Sequence, residues 1–372
     1  MLKRIYINNF RCLVNFELDF DAINLFLGAN GSGKSTVFEV LQKIQALVSG
    51  DSKVEGIFKP ADFTRWQNLQ IQHFKLEILG NDGCYTYQLE IDYYGNKCRI
   101  RKEVLLFDNQ PLLHFEVGEV QLYRDDNSEG PKYPLDWSQS VLPSLMPKND
   151  NTKLTWFKER MARFIIVQVV PSLMVDESSK EQRRLTPKME NFVSWYRYLS
   201  EDQGKVAEIG NILRDVLDGF NNFKFERVSE DNLVLKLRFS GETDNSKLIE
   251  YRLRELSDGQ KTLVALYALI YGTKSEDYTL WIDEPENFLA LPEIQPWLME
   301  LYDLCSEGKL QASLISHNSE LIDYLLASPI GYWFERQSNA AVRVKRISDK
   351  VPENSGLPVS ELIARGWLNE SA

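Results

Sequence analysis

A chain of 372 residues that is 43% hydrophobic and 26% charged has the composition of an ordinary folded protein, not of a disordered or fibrous one. No run approaches the 18 apolar residues of a membrane-crossing helix, and the opening Met-Leu-Lys-Arg-Ile-Tyr goes straight into a strand rather than a signal peptide. A net charge of −11 argues against a surface built for nucleic acid as a whole. The four scattered cysteines, 12, 84, 98 and 305, form no metal pattern, so the expectation is a cytoplasmic, reduced, zinc-free protein.

From the N-terminus, Leu2 to Asn8 reads as a short strand, and Val14, Phe16, Leu18 and Phe20 alternate with polar residues as in a half-buried strand. Ile23-Asn-Leu-Phe-Leu27 reads as a buried strand. It runs into Gly28-Ala-Asn-Gly-Ser-Gly33-Lys34-Ser35-Thr36, which fits G-x-x-x-x-G-K-[ST] over residues 28 to 35. From Lys34 to Val48 the apolar positions 37, 38, 40, 41, 44, 47 and 48 predict an amphipathic helix. A strand, a glycine loop and a helix N-terminus together make a phosphate site. Glycines let backbone N–H groups face one concavity, here bordered by Asn30, Gly31, Ser32, Gly33 and Thr36. Lys34 is placed to reach the β- and γ-phosphates of a nucleoside triphosphate, and the Ser35 hydroxyl to ligate Mg²⁺.

Residues 70 to 124 predict an antiparallel meander, its strands separated by Gly-Asn-Asp-Gly and Tyr-Gly-Asn-Lys. Residues 125 to 150 read as an exposed loop or insertion, and residues 176 to 187 as a polar, mobile stretch. Phe164 to Val167 is a short apolar strand ending at Gln168. A helical stretch is expected from Phe192 to about Phe220, and two or three strands over residues 223 to 254, with a polar turn at Ser240 to Lys247. Leu256-Ser257-Asp258-Gly259-Gln260 then precedes a helix from about Lys261 to Tyr271. Tyr278 to Ile282 is an apolar strand followed directly by Asp283 and Glu284. A further strand from about Gln311 leads into Leu314-Ile-Ser316-His317-Asn318. The remainder predicts one helix, a hairpin at about 331 to 347 and a final helix near Val359 to Trp367.

Successive side chains at a strand end point different ways. Asp283 can therefore address Mg²⁺ while Glu284 polarises a water as general base. The order of these strings, phosphate loop, LSDGQ, IDEPE and ISH, resembles that of the ABC-type ATPases in the branch holding SMC, RecF and OLD-like proteins. The opening Ile7-Asn-Asn-Phe-Arg-Cys12 resembles the "NFR" start of that branch. The resemblance implies an α/β P-loop head with a mixed central sheet, helices on both faces, an antiparallel β-subdomain and ATP hydrolysis. It also implies that LSDGQ, through Ser257, Gly259 and Gln260, binds the γ-phosphate held by a second subunit. His317 becomes a switch histidine on the γ-phosphate, Arg11 a residue near the nucleotide, and Gln168 a Q-loop glutamine sensing Mg²⁺ and water.

On this reading the chain is one head, with its nucleotide-binding core in residues 1–50 and 250–372. Residues 51–125 form the β-subdomain and residues 126–249 a compact, helical insertion. No heptad run long enough for a coiled-coil arm is present. The implied function is an ATPase that forms a homodimer on ATP and gates a separate effector in genome maintenance or phage defence; the alternative is the nucleotide-binding subunit of an ABC transporter. With only His73, His114 and His317, a His-rich nuclease centre is not expected, and the stretch after residue 317 is too short for the TOPRIM nuclease of OLD-like relatives. DNA stays open as a partner without a site to name. The basic groups Arg99, Arg101 and Lys102, Lys158, Arg160 and Arg163, and Arg183, Arg184 and Lys188 read as solvated faces.

Overall fold

The computed structural model describes residues 1–95, 97–241, 248–274, 277–325, 330–349 and 357–365. The chain forms two compact units, Met1–Phe164 with Leu326–Ala372, and Ile165–Leu325.

The first unit begins with β1 (Leu2–Asn8), β2 (Phe16–Asp19), β3 (Ile23–Leu27), α1 (Lys34–Ser49) and α2 (Val54–Ile57). Six strands follow: β4 (Ile71–Gly80), β5 (Gly83–Tyr94), β6 (Lys97–Phe107), β7 (Gln110–Glu116), β8 (Glu119–Tyr123) and β9 (Glu129–Pro134), then α3 (Thr152–Ala162). All but β3 join one antiparallel sheet of order β2-β1-β4-β5-β6-β7-β8-β9. The expected meander is thus longer than its sequence signals suggested. It takes in the N-terminal pair, because Ile5 pairs with both Leu18 and Leu76, and it gains β9 inside the stretch read as an exposed loop. Pro131 and Pro134 are tolerated in β9 because it is the edge strand. Beyond it, Ser140, Val141 and Leu142 are buried. They are pinned by the fully buried Glu103, whose carboxylate accepts from Ser140 Oγ (2.6 Å), Val141 N–H (3.0 Å) and Tyr87 OH (2.8 Å). Burial raises the Glu103 carboxyl above its ordinary range, against the pull of these donors.

Helix α1 buries the stripe expected of it, Val37, Phe38, Val40, Leu41, Ile44, Leu47 and Val48. Its Gln45 Nε2 donates to the carbonyls of Met161 (2.8 Å) and Phe164 (2.6 Å), tying α1 to the end of α3. Arg160, counted above among solvated bases, is fully buried, with its guanidinium over the Phe164 ring.

The second unit holds β10 (Phe164–Gln168), β11 (Glu177–Ser178), α4 (Phe192–Leu199), α5 (Gln203–Val216), β12 (Phe220–Arg227), β13 (Leu233–Ser240) and β14 (Leu248–Arg252). It continues with α6 (Asp258–Thr273), β15 (Thr279–Asp283), α7 (Leu291–Ser306), β16 (Gln311–Ile315) and α8 (Ser319–Leu325). The single helical stretch expected from Phe192 is two helices. The break falls at Asp202, whose carboxylate caps α5 by accepting from the Gly204 and Lys205 N–H groups. Strands β11 to β14 form a small antiparallel sheet; most of the turn expected at Ser240 to Lys247 lies outside the described residues. Helix α6 is apolar on nearly all sides and correspondingly buried. β15 and β16 pair in parallel, with Asp283 beside Ile315, and β10 neighbours β15.

The chain then returns to the first unit with β17 (Gly331–Glu335), β18 (Arg343–Arg346) and α9 (Val359–Ala364). β17 lies parallel to β3, with Tyr332 beside Phe26, and forms the expected hairpin with β18. The end of the final expected helix, including Trp367, lies outside the described residues.

Candidate functional site: a phosphate loop and a paired-acid strand

In the first unit, residues 28 to 33 leave β3 and turn into α1. Gly28 and Gly33 have φ of 137° and 104°, in the region that favours glycine. Space is also short. A Cβ on Gly28 would lie 2.2 Å from the Phe334 carbonyl oxygen of β17, and one on Gly33 would lie 2.6 Å from Val342. Asn30, Gly31 and Ser35 are exposed, Thr36 is half-buried and Ser32 is buried. Lys34 is 5% exposed, yet its ammonium donates to the Gly28 carbonyl (2.7 Å), the Ala29 carbonyl (3.1 Å) and Ser32 Oγ (3.4 Å). A cation is therefore held within the loop by neutral acceptors.

Helix α1 starts without a side-chain cap and without an acid in its first turn. The positive end of a 16-residue helix dipole attracts an anion. These features fit a nucleotide phosphate, and the exposed Ser35 hydroxyl offers an oxygen of the type Mg²⁺ prefers.

Arg11 precedes this loop in the fold, in a left-handed conformation with φ 47°. Its guanidinium is bidentate to Glu39 on α1 (2.5 and 2.6 Å) and bonded to Asp62 (3.0 Å). Burial works to raise the Asp62 carboxyl, but the Lys59 N–H, Lys43 and Arg11 outweigh it and hold it below the carboxylate range. Its neighbour Cys12 reaches the loop itself, with Sγ 3.8 Å from Thr36 Oγ1.

In the second unit, β15 delivers Asp283, and the chain reverses at Glu284, whose φ is 51°. The Glu284 N–H continues the ladder by donating to the Ile315 carbonyl at 2.9 Å. Its carboxylate accepts from Asn287 Nδ2 at 2.8 Å and lies 3.9 Å from His317 Nε2. The expected general base and switch histidine therefore share one surface at the ends of two parallel strands.

Two residues of this site were not singled out in the sequence. Glu286 is buried, and its carboxylate accepts from Ser316 Oγ (2.5 Å) and from the His317 N–H (3.3 Å). Burial raises its pKa, and its second oxygen has no hydrogen-bond partner among the described residues. Glu286 thereby fixes the loop that presents His317, and Asn287 orients Glu284. Their signal was position alone, three residues of one turn behind the strand.

Gln168 ends β10, and its N–H donates to the Pro187 carbonyl at 2.8 Å. Leu256–Gln260 leads into α6 through a reciprocal cap. Ser257 Oγ accepts from the Gln260 N–H at 3.2 Å, and the Gln260 side chain accepts from the Ser257 N–H at 3.0 Å. Asp258 in the first turn pairs with Lys261 at 3.2 Å. Gly259 packs on the next loop, since a Cβ there would lie 3.0 Å from the Phe288 carbonyl oxygen. Among the described residues no helix is long and apolar enough to cross a membrane.

A glycine phosphate loop at the start of a helix, and paired acids with a histidine at parallel strand ends, are the features of a P-loop ATPase. Residues 23–323 match the family described as "AAA domain, putative AbiEii toxin, Type IV TA system", and the chain belongs to that family. It is 28% identical over 117 residues to an OLD nuclease of Thermus scotoductus, a match covering 26% of this chain and 21% of that protein. The chain thus matches about a fifth of the length of this curated relative. In fold it is similar to an SMC head bound to the C-terminal winged-helix domain of ScpA, with TM-score 0.53, 12% identity and coverage of 94% and 98% of the two chains. It is likewise similar to a Pyrococcus furiosus SMC head with an extended coiled coil, bound to the C-terminal domain of ScpA, with TM-score 0.51, 11% identity and coverage of 94% and 97%.

Proposed function

We propose that this chain is a nucleotide-gated ATPase that forms a two-fold homodimer on Mg-ATP and controls a separate effector. The observation that carries the reading is the phosphate loop: a buried Lys34 over close-packed glycines, at the head of an uncapped helix. Lys34 stabilises charge developing on the γ-phosphate. Ser35 and Asp283 would hold Mg²⁺, which neutralises phosphate charge when bound. Glu284, oriented by Asn287, accepts the proton of the attacking water, and His317 stands beside it.

One copy of each motif is present, so the LSDGQ turn serves the nucleotide of a second copy. Isologous pairing places the same patches on both subunits. Family resemblance supports this, and so does the geometry of Ser257, which opens a 16-residue helix on an exposed turn. The family description names a putative toxin and the relative a nuclease, neither of them a transporter subunit, which favours a link to an effector over transport.

Light scattering on Glu284→Gln tests the assembly. Mg-ATP should convert monomer to dimer, and adding Ser257→Arg should keep it monomeric and suppress hydrolysis when Glu284 is restored. No dimer with ATP, or hydrolysis intact in Ser257→Arg, overturns the composite site.

A further inference from the structure

Glu286 follows the paired acids of β15, and the chemistry proposed for the site gives it no part. It is 8% exposed, and the groups that act on it are a hydroxyl and backbone N–H groups rather than a cation. A buried acid without a counter-ion costs stability, and acids perturbed in this way gather where chemistry is done. Its Oε2 has no hydrogen-bond partner among the described residues, so its hold on its surroundings runs through Oε1.

That oxygen reaches from the turn after β15 to the turn after β16. It accepts from Ser316 Oγ (2.5 Å) and from the His317 N–H (3.3 Å). Ser316 is itself buried, and its Oγ accepts from the Asn318 N–H (3.1 Å), so the hydroxyl is fixed from both sides. The Asn318 side chain in turn accepts from the Leu321 N–H (3.2 Å) at the start of α8. The β15 side is equally constrained. Glu284 has φ 51°, and its N–H is tied to the Ile315 carbonyl (2.9 Å). The Asn287 and Leu289 N–H groups close the turn on the Glu284 and Glu286 carbonyls (3.2 and 3.0 Å). Two ties thus join the strand ends. The backbone tie, Glu284 to Ile315, sets where Glu284 leaves β15. The side-chain tie, Glu286 to Ser316 and His317, governs where the His317 ring stands, 3.9 Å from the Glu284 carboxylate.

We propose that Glu286 is a positioning residue for hydrolysis: through Ser316 and the His317 N–H it holds His317 against Glu284, and it sets turnover without contributing to nucleotide binding. The proposal rests on the ATPase reading. Loss of the Glu286 carboxyl moves His317 rather than removing it, and a misplacement of about 1 Å costs on the order of 10²-fold in rate. A carboxylate suits the task because one oxygen serves two donors, and charge strengthens both bonds.

The test follows single-turnover ATP hydrolysis by the full chain, with binding of a fluorescent ATP analogue and thermal unfolding measured on the same samples. Glu286→Ala should hydrolyse about 30–100-fold more slowly and bind the analogue as the parent does. Glu286→Gln keeps an acceptor oxygen and should recover to within about tenfold of the parent. Ser316→Ala, which removes one of the two donors, should fall between the parent and Glu286→Ala. In a His317→Ala background, Glu286→Ala should cost about twofold at most, because the residue through which it acts is gone. Parent-like hydrolysis in Glu286→Ala, or the same further loss in both backgrounds, overturns the positioning role while the ATPase reading stands. If Glu286→Ala does not fold, Glu286→Gln and Ser316→Ala decide, and nucleotide binding lost in step with hydrolysis in either one overturns the role. If the parent hydrolyses no ATP, the ATPase reading falls and takes the proposal with it.

Discussion

Lys34→Ala is expected to abolish nucleotide binding or turnover. The ammonium is buried against two loop carbonyls and a hydroxyl, so its charge is poised where phosphate oxygens arrive. Removing one preorganised group of this kind costs about 10²–10³-fold in turnover. Here weaker ground-state binding adds to that loss, because Lys34 is placed to contact the β- and γ-phosphates of bound ATP as well as the transition state. Alanine also leaves the Gly28 and Ala29 carbonyls without the donor that draws the loop together. Fluorescent-nucleotide titration and phosphate release measure the two effects separately. Unchanged ATPase activity in the variant refutes the assignment.

Glu284→Gln should do something different: bind ATP and hydrolyse it about 10²–10⁴-fold more slowly, the usual loss when a general base is removed. The amide is nearly isosteric, and its oxygen can still accept from Asn287 Nδ2, so the left-handed turn at Glu284 should survive. Single-turnover measurement separates the step. Wild-type hydrolysis in Glu284→Gln means that another group is the base, and the next to examine is His317, 3.9 Å away.

Much of the site was legible because its chemistry is local. The phosphate loop, the acids at the end of β15 and the histidine after β16 each lie at the end of a five-residue, largely buried strand, and such strands advertise themselves. What was not legible depended on pairing across long stretches of chain. Nothing in Leu2–Asn8 says that it will lie beside Ile71–Gly80; that register comes from burying Ile5 and Ile7 against Leu76 and Phe74. Strand β9 was hidden by its prolines, which read as loop unless the strand is known to be an edge. The helix break at Asp202 had a signal, since an acid immediately ahead of a helical run can cap the N–H groups two and three residues on. The spacing of Ser257 and Gln260 likewise spells a capping box, so the serine that resemblance assigns to a phosphate also has structural work at the start of α6.

The first unit is closed by its most distant parts. Gly28 can be nothing larger because the carbonyl of Phe334 comes within 2.2 Å of where a Cβ would stand, and Val342 crowds Gly33 in the same way. Both come from the β17–β18 hairpin, made some 300 residues after the loop it completes. At synthesis rates of 5–20 residues per second, a nascent chain waits roughly 15–60 s between the two. During that interval β3, apolar at four of its five positions, lacks the neighbour that covers one of its edges. Nucleotide affinity should therefore be among the last properties a growing chain acquires. A chain broken off before Gly331 would carry every residue of the phosphate loop and still lack the surface that shapes it.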